Sequence, residues 1–145
     1  MSTRMMTSAL KIAAIAAVFA GGFWMGRDSG VKAASNRVFE LRTYTATPGK
    51  FDAMNARFRD DTLKLFKKHG MENVAYRVPA DEPKSKDTLV YLLAYPTRDA
   101  AKKSWEAFQN DEEWKKVKAA TEVNGALAGK VESLYLAPTD YSAMK

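Results

Sequence analysis

The sequence predicts an α+β domain of the ferredoxin-like type, with its elements in the order β-α-β-β-α-β. Three observations carry that prediction. Short alternating segments rich in β-formers recur from Val38 onward, longer stretches repeat apolar residues at spacings of three and four, and Pro, Gly and Asn punctuate the joins.

The first strand is read over residues 38–45, VFELRTYT, with Phe39, Leu41 and Thr43 on one face and Glu40, Arg42 and Tyr44 on the other. Thr47-Pro48 then reads as an N-cap followed by Pro at the first helical position. The helix runs to about His69, and Phe51, Met54, Phe58, Thr62, Leu65 and His69 form its inner stripe. Arg57 with Asp61 and Asp60 with Lys64 are expected as opposite-charge pairs on its solvated side, and Gly70 supplies the left-handed stop.

Residues 73–78 form the second strand, a polar loop covers 79–87, and residues 88–95, TLVYLLAY, form a central strand apolar on both faces. Pro96-Thr97 caps the next helix, in which Ala101, Trp105 and Phe108 share one face. Asn110 and Glu113 read as a capping box that starts a second helical piece, with Trp114, Val117 and Thr121 inward and Asn124-Gly125 at its end. Residues 130–137, KVESLYLA, are the last strand. With both helices on one side of the sheet, an apolar face is left over, and a two-fold homodimer is the expected cover.

Composition narrows the function. The chain has 145 residues, no cysteine and one histidine, which excludes disulfides, thiolate nucleophiles, cysteine-ligated zinc and a multi-His metal site in one chain. The net charge of +6 divides unevenly: residues 1–37 hold five basic groups against Asp28, for +4, and the remaining 18 basic and 16 acidic groups leave +2. The globular part has its signs interspersed, so nucleic acid is not an expected partner. Residues 1–37 read as a signal peptide or an N-terminal membrane anchor with a short linker. Arg4 and Lys11 precede an uncharged run at 12–26, and Val31-Lys32-Ala33 offers small residues for cleavage after Ala33. Either reading exports the domain at 38–142, to the periplasm or beyond, and an uncleaved run 12–26 would tether it to the membrane.

Four segments carry a specific resemblance: FELRTYTATPGK (39–50), FRDDTLKLFKKHGM (58–71), LVYLLAYPTRDAAKKSWEAFQNDEEW (89–114) and KVESLYLAPTDYS (130–142). Together they resemble the NIPSNAP family in its order and spacing. The resemblance implies a dimeric α/β barrel and a family without a settled chemical activity. Eukaryotic members are mitochondrial and act through protein contacts; this chain departs from them in its export-type leader and single short domain. The wider superfamily includes cofactor-free monooxygenases, haem-degrading enzymes and isomerases, which is analogy at the level of fold.

Candidate residues follow from both readings. Arg42, Tyr44, Tyr76, Tyr91, Trp105 and Trp114 are the candidates for binding a small apolar or aromatic ligand, with Glu40 and Glu132 as polar companions able to orient an anionic or phenolic group. The competing reading makes the aromatics core and Glu40–Arg42 a network that fixes register. His69 and Tyr91 are the candidates for catalysis, and His69 for haem; the competing role of His69 is a cation at a helix C-terminus. No cofactor or metal is called for. The expected function is a homodimeric small-molecule-binding or protein-interaction module, and the alternative is a cofactor-independent oxygenase or isomerase acting on an aromatic substrate.

Overall fold

The computed structural model describes residues 37–145. The chain divides into two units, Met1–Val31 and Lys32–Lys145, and all that follows concerns the second. The leader and its apolar run at 12–26 lie outside the described residues. No helix among the described residues is long and apolar enough to cross a membrane.

The described chain forms β1 (Val38–Ala46), α1 (Phe51–Arg57), a π-helical turn (Phe58–Thr62), α2 (Leu63–Lys68), β2 (Glu72–Arg77), β3 (Thr88–Tyr95), α3 (Arg98–Asn110), α4 (Glu112–Thr121) and β4 (Ala128–Leu136). The four strands make one antiparallel sheet in the order β2-β3-β1-β4. This is the ferredoxin-like arrangement the sequence predicts.

Register decides which side chains meet the helices. Glu40, Arg42 and Tyr44 stand opposite Leu93, Tyr91 and Leu89 on β3, and opposite Tyr135, Ser133 and Val131 on β4. That face packs against Met54, Phe58, Leu65, Phe66 and Phe108 to form the core. The reverse face carries Phe39, Leu41, Leu92, Ala94, Leu134 and Leu136. Tail residues 137–144 lie over one end of it, around a cavity of about 250 Å³ shared with Phe39, Leu92 and Leu136. Leu134 stays 58% exposed.

Three local expectations are corrected. Thr47-Pro48 does not start the helix. It opens a turn in which Lys50 N–H donates to the Thr47 carbonyl at 2.9 Å, Gly49 takes φ +75°, and the Thr47 hydroxyl donates to the Ala126 carbonyl instead of capping. The cap of α4 is Asp111, one residue past the expected Asn110, and it accepts from the N–H groups of Glu113 and Trp114.

Arg57 is buried rather than solvated. Beyond it the helix widens into the π turn, where the Thr62 hydroxyl donates to the Arg57 carbonyl at 3.2 Å. Arg57 then turns inward to Glu122 at 2.8 Å, while Asp61 pairs with Lys64 at 3.1 Å. Thr97, by contrast, caps α3 as expected, accepting from Ala100 N–H at 3.1 Å.

Candidate functional site

Alternation along β1 puts a carboxylate and a guanidinium side by side under the helices. Glu40 is 1% exposed, a position that a charge tolerates only when fully paired. Its Oε1 accepts from Arg42 Nη1 and Ser133 Oγ, both at 2.6 Å, and its Oε2 accepts from Tyr95 Oη and Trp105 Nε1, both at 2.7 Å. Burial alone would raise its pKa; the bonds from Ser133, Tyr95, Trp105 and Arg42 outweigh burial and hold it below the ordinary carboxylate value.

Arg42 lies in front of this carboxylate. Its guanidinium stacks 4.2 Å from the Trp105 ring centre, and its Nη2 donates to the Tyr44 hydroxyl at 3.2 Å. Such stacking contributes about 0.5–2 kcal/mol and fixes the plane of the fork. Trp105 is therefore held at both ends, by its N–H on Glu40 and by its face on Arg42.

Between this strand face and the helices α3 and α4 opens a cavity of about 420 Å³. Tyr44, Trp105, Phe108 and Trp114 give it aromatic walls, and Arg42, Lys115 and Lys118 bring positive charge to it. Phe108 and Trp114 pack at 4.5 Å between ring centres, and Arg57 backs Trp114 from outside the cavity at 5.2 Å. The volume falls in the lower part of the range of about 300–1,000 Å³ that small-molecule sites occupy.

Four of the six expected ligand-binding residues thus meet: Arg42, Tyr44, Trp105 and Trp114. Tyr91 and Tyr76 do not join them. Tyr91 is buried in the core between Tyr44, Phe58 and Phe66, and stacks on Tyr76 at 5.3 Å. Its hydroxyl is shielded from solvent beside Tyr44, and burial, then Tyr44, push its pKa well above the phenol range. Tyr76 donates to Asn73 Oδ1 at 2.5 Å and lines a separate cavity of about 210 Å³ with Phe58 and Leu63.

Glu132 stands opposite Thr43, so it lies on the reverse face, where it meets Lys130 at 3.0 Å. His69 is away from the cavity as well: its Nε2 meets Asp111 Oδ2 at 2.6 Å, the carboxylate that also takes Lys68 at 2.7 Å. Among the described residues no group of three or more His, Asp or Glu side chains is placed to hold a metal.

Lys115 and Lys118, which also line the cavity, were not among the residues expected from the sequence. The signal was present, since Trp114 and Lys118 are four apart on α4 and share a face.

The sequence profile of the NIPSNAP family matches residues 39–143. The chain belongs to the NIPSNAP family. Among solved structures, a NIPSNAP family protein from Agrobacterium tumefaciens is 20% identical, with 75% of this chain and 99% of that one covered and a TM-score of 0.65. A NIPSNAP-like domain protein from Burkholderia xenovorans is 15% identical over 74% of this chain and 90% of that one, with a TM-score of 0.64. A candidate antibiotic biosynthesis monooxygenase from Nitrosomonas europaea shares the fold at a TM-score of 0.52 and 14% identity, covering 74% and 95% of the two chains. No curated protein matches.

Proposed function

We propose that this NIPSNAP domain works as an exported homodimeric binding module that holds a small apolar or aromatic molecule in the cavity between β1 and the helices α3 and α4. The observation that carries the reading is the convergence of Arg42, Tyr44, Trp105 and Trp114 on one 420 Å³ cavity with aromatic walls and a stacked guanidinium. Export is supported by the leader sequence, and the homodimer by the apolar reverse face of the sheet.

No reaction is assigned. Among the described residues the side chains lining the cavity are aromatic, basic or amide, and the nearby Glu40 carboxylate is taken up by four donors. Tyr91 holds its proton more tightly than a free phenol, and His69 is engaged by Asp111.

Native mass spectrometry of the protein taken from its own exported fraction tests this reading. The expected result is a mass of two chains carrying a retained molecule, with the adduct lost in a Trp114→Leu variant. Monomers without an adduct would overturn it.

A further inference from the structure

We infer that the molecule bound in the cavity beside Arg42 is an aromatic acid held as its anion, with Arg42 supplying directed hydrogen bonds and Lys118 the unbalanced charge. The inference rests on the binding reading and narrows it to a chemical class.

A guanidinium carries five N–H donors. Glu40 and Tyr44 accept two of those of Arg42, and its Nε–H, shielded from solvent, has no acceptor. Glu40 behind it and the Trp105 face beside it hold the group in one plane, so the Nη donors beyond those two bonds meet a guest at the cavity wall without an ordering cost; the shielded Nε–H is not among them. A neutral hydrocarbon guest would fill the aromatic walls but leave those donors facing an apolar surface, which is costly for buried polar groups. A carboxylate or phenolate answers them with the short, charge-assisted geometry that a fork favours.

Charge accounting points the same way. Around the cavity Arg42 is paired with Glu40, Arg57 with Glu122, and Lys115 with Glu112 at 2.6 Å. Lys118 lines the cavity and shares with Arg57 the field of the one carboxylate Glu122, whose bond goes to Arg57. The site therefore carries one positive charge in excess. Glu40 does not oppose a second carboxylate strongly, because it lies behind Arg42 and is saturated by four donors. The four aromatic walls select a flat guest, and the basic side of the cavity selects its charge.

The test uses the full-length protein and two probes of matched shape, sodium 2-naphthoate and neutral 2-naphthalenemethanol, titrated by calorimetry with Trp emission as a second signal. The naphthoate is expected to bind about tenfold tighter than the alcohol. Lys118→Gln, on an exposed position that leaves the fold alone, is expected to weaken naphthoate about threefold and to leave the alcohol unchanged. Equal binding of the two probes, or tighter binding of the alcohol, would overturn the anion inference and leave the binding reading standing. Binding of neither probe to a protein stripped of a native adduct that it still rebinds would also overturn the anion inference alone. Binding of neither to a protein without an adduct would overturn both.

Discussion

Glu40 shows how one side chain sets the site. Its four donors come from β1, β3, α3 and β4, so a single carboxylate ties together three strands and the helix that walls the cavity. Glu40→Gln keeps the shape but removes the charge that faces Arg42, and it turns an amide N–H₂ toward groups that are themselves donors. Breaking a buried pair from one side costs about 3–5 kcal/mol. The expected result is a fall in melting temperature of roughly 10 °C or more, read by circular dichroism. The pH dependence has a definite sign. Because the folded pKa lies below the ordinary 4.5, the wild-type advantage over the variant is complete above that value. It shrinks as the pH falls through the lowered folded value. A gap between the two proteins that stays constant on acidification would show that the charge of Glu40 is not what stabilises the fold.

At the scale of elements, the decisive joint is the one between the end of α2 and the start of α4. Asp111 Oδ2 binds Lys68 and His69, while Oδ1 accepts from Glu113 N–H at 2.7 Å and Trp114 N–H at 3.3 Å. The same carboxylate thus caps α4 and fixes the backbone that carries Trp114 into the cavity. Lys68 first, then His69, hold its pKa well below the usual carboxylate range, so the joint is intact above that range and loosens only in strong acid. Asp111→Ala is expected to speed amide exchange in the first turn of α4, lower the melting temperature and weaken ligand binding together. His69→Ala removes one contact and keeps the cap, so the expected loss is smaller and binding persists; abolished binding in that variant would restore a direct role for His69.

This joint also shows where sequence reading reaches its limit. Period-two alternation on β1 and the spacing of three and four on α3 and α4 made Arg42, Tyr44, Trp105 and Trp114 legible, because those patterns are local. The partner of His69 lies 42 residues away and that of Arg57 lies 65 away. No local pattern encodes either. Tyr91 was misplaced for a related reason: it shares the helix-facing side of β3, but the register sets it under Phe58 and Phe66, behind the cavity rather than in it.

At the scale of the whole molecule, the sheet has two apolar faces and the helices cover only one. The C-terminal tail shields the Phe39 end of the other, where Phe39 is 5% and Ala94 1% exposed. Leu134 and Leu136 on the edge strand β4 remain open beside Leu41, and an edge strand with exposed apolar side chains invites association. In the proposed homodimer a second copy covers that remainder about a two-fold axis. Leu134 is the side chain on which to test this, because it is largely exposed in the single chain and a charge there leaves the core untouched. Leu134→Asp is expected to give a folded monomer by analytical ultracentrifugation, with an unchanged far-ultraviolet spectrum, where the wild type sediments as a dimer. Burial of a lone carboxylate at such an interface costs several kcal/mol, enough to separate the subunits at micromolar concentration. A wild type that sediments as a monomer, or a Leu134→Asp dimer, would remove the reverse face from the account of assembly. The cavity, which lies on the helix side of the sheet, would then have to function within a single chain.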